Sequence, residues 1–139
     1  MTYDPANIFA KILRGEIPAY KVYEDDRVLA FLDIMPRAPG HTLVIPKAAS
    51  RNLLDAAPDD LAAVAAVVQR VARAQVKAFD AQGVTVSQHN EKAGGQEVFH
   101  LHVHVIPRQI GVDLLAPLSF KESAEVLAAH TEKLKAALG

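Results

Sequence analysis

Short runs of apolar or alternating apolar and polar residues recur along the chain, separated by prolines, glycines and acidic residues. Such runs are typical of β-strands, and strict alternation indicates a strand with one buried face. They lie at residues 20–24, 27–33, 41–45, 84–88 and 98–106. Two prolines and a glycine within residues 35–40 predict a loop, since neither residue type sustains a strand ladder. The pattern therefore predicts five strands.

Elsewhere the apolar residues recur with the 3.6-residue period of an α-helix. Residues 8, 9, 12 and 13 share one face of a short helix, which Gly15 ends. The clearest periodicity, over residues 58–79, predicts a long helix with Pro58 in its first turn. A third helix is predicted over residues 122–138. We therefore predict an α+β fold: a mostly antiparallel five-stranded sheet, one long central helix, a short N-terminal helix and a C-terminal helix.

The last predicted strand contains three of the six histidines of the chain, at every second position. His100, His102 and His104 alternate with Leu101 and Val103, which predicts three imidazoles on one face and apolar side chains under the long helix. An imidazole has an unperturbed pKa of about 6.5 and can act as nucleophile, acid or base near neutrality. The row therefore indicates phosphate chemistry or metal binding.

A metal site is the main alternative to catalysis for this row. Zinc binds imidazole nitrogens at about 2.0–2.1 Å, whereas same-face residues of a strand are about 6.6–6.8 Å apart. Two neighbouring histidines could lean onto one ion, but three could not unless the strand bends. No cysteine is present to complete such a site. Incidental surface histidines are a third interpretation, which the regular spacing disfavours.

Composition narrows the functional classes. In 139 residues we expect one domain, residues 1–139. A formal net charge of −1 offers no broad attraction for nucleic acid, which usually meets a strongly basic face. No apolar stretch is long enough to span a bilayer, and the absence of cysteine excludes disulfides. Residues 1–5 lack a basic stretch leading into an apolar run, so we expect no signal peptide and a cytoplasmic location.

Three features near the row carry two interpretations each. Residues 93–96 include adjacent glycines, which either form a simple turn or bring backbone N–H groups close to an anion. Asp33 follows a strand, where it either caps the next turn, the favoured interpretation on sequence alone, or binds a sugar diol. A lone histidine at the start of a strand, such as His41, is more often structural than catalytic.

The segment His-Leu-His-Val-His-Val-Ile at residues 100–106 resembles the signature of the histidine triad family of nucleotidyl hydrolases and transferases. The similarity extends over roughly residues 7–108, including residues 33–36, 40–47 and 93–96, and is greatest to the Hint branch. The resemblance implies a homodimer acting on a purine nucleoside phosphoramidate or mixed anhydride, without a cofactor or metal. A dinucleoside polyphosphate hydrolase and a nucleotide-binding regulatory protein with incidental activity are the alternatives.

Residue by residue, the resemblance makes His102 the nucleophile that forms a nucleotidyl-histidine at the α-phosphate. His100 and His104 would flank the phosphate, and His41 would complete the histidine cluster. Polar contacts to the nucleotide would come from Asp33 at the ribose hydroxyls, from Asn90 at the phosphate, and from Gln96 and Glu97. The wall of the nucleobase pocket would comprise Ile8, Phe9, Ile12, Phe31, Ile34 and Leu43.

The sequence also departs from some relatives. A structural zinc site built on Cys-x-x-Cys and a downstream histidine is absent, since residues 7–10 and 48–49 carry none of these ligands. Glu97 stands where some members place a hydroxyl residue near the leaving group. No tryptophan is present, so the C-terminal tryptophan of some Hint proteins is missing too. The residues after Arg108 therefore do not specify the leaving group.

Overall fold

The computed structural model describes residues 2–139, which form three α-helices and one five-stranded sheet. The helices are α1 (Ile8–Leu13), α2 (Pro58–Phe79) and α3 (Ala124–Leu138). The strands are β1 (Lys21–Glu24), β2 (Val28–Leu32), β3 (Thr42–Pro46), β4 (Gly83–Ser87) and β5 (Val103–Arg108), with a 3₁₀ turn at Lys92–Gly94. The predicted α+β fold is confirmed, and α2 has the predicted boundaries.

The sheet has the strand order β1-β2-β3-β5-β4, and every neighbouring pair is antiparallel. The last strand of the chain therefore inserts between β3 and β4. In this register His104 lies opposite Leu43 on one side and opposite Ser87 on the other. Cross-strand partners project to the same face of a sheet. His104 and Leu43 consequently share a face.

The two faces of the sheet carry different layers, because side chains alternate along each strand. Val44 and Val105 belong to the core under α2 and α3, with which Leu127 and Leu134 also pack. The opposite face has a second apolar cluster, to which α1 contributes. Its buried members are Phe9, Ile12, Leu29, Phe31, Leu43 and Ile45. The face that carries His104 is therefore the α1 face, and the long helix covers the other one.

Helix α2 packs against the sheet through an apolar stripe that is buried along its middle turns. Pro58 occupies its first turn, where the missing N–H costs nothing, and Asp59 and Asp60 complement the positive end of the helix dipole. Val64, Val67 and Val71 lie on its buried side. Within residues 2–139, no helix is both long and apolar enough to cross a membrane.

The predicted strand over residues 98–106 is wrong at its start. Strand β5 begins only at Val103, and its pairing with β3 starts at Val44. Before that point the chain has other partners: the backbone N–H of Leu101 donates to the carbonyl of Ser50, in the loop after β3. Only His104 of the three histidines lies in a strand, so the expectation of three imidazoles along one strand face is also wrong.

Candidate active site

Four histidines converge on the α1 face of the sheet. His41 immediately precedes β3, His104 lies in β5, and His100 and His102 lie in the segment that leads into β5. The ring centroids of His41 and His104 are 5.1 Å apart, and those of His102 and His104 are also 5.1 Å apart. His41, His100 and His102 are almost completely buried. The structure thus gathers all four predicted histidines within one small, largely desolvated cluster.

The hydrogen bond of His102 fixes its tautomer. Its Nδ1 lies 2.7 Å from the backbone carbonyl oxygen of His100. A carbonyl can only accept, so Nδ1 carries the proton and Nε2 retains its lone pair. Burial lowers the pKa of His102 to about 4, although the bond to the His100 carbonyl favours its charged form. His102 is therefore a neutral imidazole with a free Nε2 lone pair at neutral pH.

A chain of hydrogen bonds likewise fixes the tautomers of His41 and His104. The backbone N–H of Arg37 donates to Nδ1 of His41 over 3.0 Å, so the proton of His41 is on Nε2. That Nε2–H donates to Nδ1 of His104 over 2.9 Å, which leaves the proton of His104 on its own Nε2. Burial, with smaller effects from Arg37 and His102, lowers the pKa of His41 to about 4. Burial and the neighbouring histidines lower the pKa of His104 to about 3.

The ring of His100 is held by hydrogen bonds at both of its nitrogens. The Tyr3 hydroxyl lies 2.7 Å from its Nδ1, and its Nε2 lies 2.8 Å from the carbonyl oxygen of Pro46. Both ring nitrogens are therefore occupied within the protein, and the side chain is fully buried. These contacts leave neither ring nitrogen free for a phosphate oxygen, which disfavours the expectation that the ring of His100 flanks the phosphate. The ring instead holds in place the backbone carbonyl that orients His102.

A buried glutamine on α2 fixes the strands beneath the cluster. The Gln75 side-chain amide donates to the carbonyl of Val105 at 2.7 Å, to the carbonyl of Gly40 at 3.1 Å and to the hydroxyl of Thr42 at 3.3 Å. Val105 and Gly40 are the sequence neighbours of His104 and His41. Gln75 thus ties β3 to β5 from the opposite face of the sheet, at the point where the two histidines meet.

Asp33 forms the predicted turn cap through one carboxylate oxygen and leaves the other without a hydrogen bond. Its Oδ1 accepts a hydrogen bond of 2.8 Å from the backbone N–H of Met35, which is the turn cap. Its Oδ2 lies 3.7 Å from Nε2 of His41 and has no other protein partner among the described residues. Burial raises the pKa of Asp33, while the bond to Met35 opposes that effect. One carboxylate oxygen therefore remains available beside the histidine cluster.

Asp33, His41 and His104 are close enough together to suggest a metal site, since their potential ligand atoms lie within 4.8 Å of one another. A histidine that binds a metal normally donates its other ring N–H to an acceptor. His41 has the opposite arrangement, because its Nδ1 accepts from the Arg37 amide. A metal on Nε2 would leave both nitrogens without protons, so the surroundings of His41 disfavour a metal ion.

The polar residues predicted to contact the nucleotide lie in a tightly bonded loop. Gln96 is buried: its Nε2 donates to the carbonyls of Arg51 and Val98, and its Oε1 accepts from Asn52 and the Glu91 amide. That is the full hydrogen-bonding capacity of a carboxamide. The Gln96 side chain therefore has no hydrogen-bonding capacity left for a nucleotide, which disfavours its predicted nucleotide contact, and it stabilises the loop.

Asn90 and the glycines of this loop are also engaged. The Asn90 carboxamide pairs with Gln88, and its oxygen accepts from the Leu53 amide, which leaves one side-chain N–H free. The backbone N–H groups of Gly94, Gly95 and Gln96 donate to carbonyls within the loop. These amides do not form the anion site that the glycines suggested. Glu97 is exposed, and no hydrogen bond or ion pair among the described residues involves its side chain.

The predicted nucleobase wall separates into buried and exposed parts. Four members, Phe9, Ile12, Phe31 and Leu43, pack together in the apolar cluster on the α1 face. The ring of Phe9 lies 5.0 Å from that of His102 at an interplanar angle of 85°, so the cluster adjoins the histidines directly. Ile8 and Ile34 are 45% and 43% exposed. These two side chains offer apolar surface that a planar ligand could cover.

Sequence reasoning missed a fifth histidine in the cluster. The ring of His89 lies 5.6 Å from that of His104, with an interplanar angle of 34°. His89 follows β4 by two residues, and Ser87 at the end of β4 lies opposite His104. His41 and His89 therefore approach His104 from the β3 and β4 sides respectively. In the sequence, His89 is marked only by its position just after a predicted strand. That position points to the cluster only when the pairing of β4 with β5 is known.

Comparison with known proteins agrees with this geometry. Residues 14–111 match the model of the HIT domain. The chain belongs to the HIT domain family. A curated HIT relative, the adenylylsulfatase HINT3 of Arabidopsis thaliana, is 41% identical over 102 residues, which are 73% of this chain and 52% of the relative. HIT proteins are nucleotide-binding hydrolases and transferases, so this chain is placed in that superfamily.

Solved HIT structures share the whole fold. A Hit-like protein of Bartonella henselae, described as involved in cell-cycle regulation, is 53% identical, with a TM-score of 0.95 over 99% of both chains. A histidine triad nucleotide-binding protein of Sulfolobus tokodaii is 36% identical, with a TM-score of 0.85 over 94% of this chain and 90% of that one. A zinc-bound histidine triad protein of Mycobacterium smegmatis is 40% identical, with a TM-score of 0.83 over 96% and 93%.

Proposed function

We propose that this HIT protein hydrolyses a purine nucleoside 5′-phosphate derivative, a phosphoramidate or a mixed anhydride, through a nucleotidyl intermediate on His102. The observation that carries the proposal is the orientation of His102, whose Nδ1–H bond to the His100 carbonyl directs a free lone pair on Nε2 away from the backbone. A neutral, oriented imidazole is a competent nucleophile toward phosphorus.

In the first step Nε2 of His102 attacks the α-phosphorus in line with the leaving group. The Nε2–P bond forms as the bond to the leaving group breaks, and the bonding pair departs with that group. The ring then carries a positive charge, which the existing Nδ1–H bond to the His100 carbonyl stabilises. In the second step water attacks phosphorus, and the electron pair of the Nε2–P bond returns to His102.

The proton on Nε2 of His104 stabilises the charge that develops on the phosphate oxygens. That proton is present because His41 donates to Nδ1 of His104, and His41 is itself fixed by the Arg37 amide. Donors that are oriented before the reaction stabilise a transition state without reorganisation. The neutral imidazole of His104, oriented by that of His41, thus supplies the stabilisation, and the proposed reaction requires no divalent metal.

The nucleoside would lie along the α1 face. The base would cover the exposed surfaces of Ile8 and Ile34 beside the Phe9 cluster, and the ribose hydroxyls would donate to the free Oδ2 of Asp33. Asn90 retains one free N–H for a phosphate oxygen. The Arabidopsis relative is named as an adenylylsulfatase, and adenylyl sulfate is a mixed anhydride of this class. The Sulfolobus relative is named as nucleotide-binding.

The test compares three adenosine substrates with the purified protein: an alkyl phosphoramidate, adenylyl sulfate and a diadenosine polyphosphate. We expect the largest kcat/KM for the first two and no change of rate on addition of EDTA. Preference for the diadenosine compound would assign the polyphosphate alternative. Tight binding of AMP without turnover of any of the three would favour a regulatory nucleotide-binding protein.

Replacing Asp33 by asparagine is expected to reduce the discrimination between ribose and 2′,3′-dideoxyribose substrates. The amide keeps the size of the side chain and retains an oxygen for the Met35 turn, but it loses the charge that accepts from the diol. We expect kcat/KM for the ribose substrate to fall about 10- to 100-fold and that for the dideoxy substrate to change by less than about threefold. An undiminished preference for ribose would show that Asp33 is only a turn cap.

We further propose that the protein is a homodimer that associates through the edge of the sheet at β4. Strand β4 has no partner on its outer side among the described residues, and Val86 is 51% exposed there. Exposed strand edges with apolar side chains favour pairing with a second chain. Light scattering is expected to give twice the monomer mass of 15.0 kDa.

A further inference from the structure

An amine leaving group must be protonated as it departs. Four of the five histidines in the cluster are unable to supply that proton. Nε2 of His102 bonds to phosphorus, and both ring nitrogens of His100 are occupied by Tyr3 and Pro46. His104 is neutral, and if it gave up its Nε2 proton it would have to recover one from His41. That relay ends at the backbone amide of Arg37, which cannot supply a proton. The proton must therefore enter from outside the relay.

His89 is the remaining imidazole at this point. Its ring lies 5.6 Å from that of His104, on the side away from His41. The side chain is half-buried, and no hydrogen bond among the described residues involves its ring nitrogens. A Cβ at Gly95 would lie 3.6 Å from Nδ1 of His89, so Gly95 leaves that nitrogen uncrowded. His89 therefore combines proximity to the cluster with solvent contact and uncommitted nitrogens.

We propose that His89 is the general acid for the leaving group, an inference that rests on the proposed function and deepens it. As the Nε2–P bond forms on His102 and the P–N bond breaks, the electron pair moves to the amine nitrogen, which takes a proton from the His89 imidazolium. In the second step the neutral His89 accepts a proton from the attacking water. The cycle returns His89 and His102 to their initial states.

Glu97 is the competing donor. It is exposed, stands in the same loop, and occupies the position near the leaving group that the family resemblance indicates. A carboxylic acid is mostly ionised near neutrality, whereas an imidazole can exist in both forms there. The ring of His89 also lies 5.6 Å from that of His104, the residue whose Nε2–H is directed at the phosphate in the proposed reaction. These facts favour the imidazole over the carboxylate.

The test uses leaving groups that differ in their need for a proton. The alkylamine of adenosine 5′-alkylphosphoramidate cannot leave without one, whereas sulfate leaves adenylyl sulfate as an anion. His89→Gln retains a polar side chain but cannot deliver a proton. We expect it to reduce kcat/KM for the phosphoramidate about 10²- to 10³-fold, and that for adenylyl sulfate by less than about threefold. Lys92→Gln, an exposed change in the same loop, is expected to leave both values unchanged.

Three outcomes would overturn the role of His89: an equal loss on both substrates, no loss on either, or a selective loss of phosphoramidate turnover in Glu97→Gln but not in His89→Gln. Circular dichroism confirms that each variant is folded. Failure of the unchanged protein to turn over any of these nucleotides would contradict the proposed function itself. That result is distinct from a loss seen only in the variants.

Discussion

Replacing His102 by alanine is expected to reduce kcat/KM about 10⁵-fold while leaving the fold and nucleotide binding almost unchanged. Removal of an enzyme nucleophile abolishes the covalent route and commonly costs this much. The folding cost comprises one hydrogen bond to the His100 carbonyl, about 1 kcal/mol, and the contacts with the Phe9 and His104 rings. Turnover of the phosphoramidate and AMP affinity by calorimetry measure the two effects separately.

His130→Gln is the matched control, because His130 lies on α3 and contacts Phe79 outside the cluster. We expect it to retain full activity. His102→Gly offers a second readout, since free imidazole can occupy the vacated space and restore part of the turnover. Retention of activity by His102→Ala, with the fold intact, would remove His102 from the role of nucleophile.

Acidification is expected to unfold the protein between about pH 6.5 and about pH 4. Burial lowers the pKa of His41 and His102 to about 4 and that of His104 to about 3, below the unperturbed value of about 6.5. Between these values the unfolded chain binds protons that the folded chain does not, so stability falls as the pH falls. Each such group contributes about 1.4 kcal/mol per pH unit, and three contribute about 4 kcal/mol per pH unit.

A typical domain has a free energy of unfolding of about 5–15 kcal/mol. A loss of about 4 kcal/mol per pH unit therefore reduces that free energy to zero within a few pH units. Denaturant midpoints measured at a series of pH values test the expectation. His104→Gln removes one buried imidazole, and we expect it to reduce the slope by about 1.4 kcal/mol per pH unit. Down to the unfolding transition the nucleophile stays neutral, so kcat/KM for adenylyl sulfate should remain nearly constant. A stability that does not change between pH 7 and about pH 5 would contradict burial of these neutral imidazoles.

Sequence periodicity predicted the elements whose formation depends on local chemistry. Helix α2 has the predicted boundaries, because its apolar stripe and Pro58 are properties of the segment itself. The short helix α1 also follows its local spacing, with Asn7 accepting from the Ala10 amide at its N-terminus. The predicted sheet is observed, and each pair of strands is antiparallel.

The predictions that failed depend on partners remote in sequence. The start of β5 shifts because Leu101 bonds to Ser50 in the loop after β3. The ring of His100 has no free nitrogen because Tyr3 and Pro46 bind both of them. No periodicity in a single sequence reports such distant contacts.

The glycine loop and the strands under the histidines show the same limit. Gln96 is buried against Arg51 and Asn52, which lie more than one element earlier in the chain. Gln75 lies on a helix whose pattern gives no hint that its amide ties two strands together. His89 becomes part of the cluster only through the pairing of β4 with β5. These polar contacts follow from the topology, which had to be known first.

The central claim is that the reaction passes through a nucleotide bonded to Nε2 of His102. Rapid-quench trapping of this covalent intermediate tests the claim most directly. The protein is mixed with excess adenosine 5′-alkylphosphoramidate, quenched in base on the millisecond scale, digested and analysed by mass spectrometry. We expect one adenylyl group on the peptide containing His102, stable in base and released by acid, as a phosphorus–nitrogen bond requires. Fragmentation of that peptide assigns the modified residue, and an adenylyl group on any residue other than His102, Lys47 included, or a burst of AMP with no protein adduct, would contradict the mechanism.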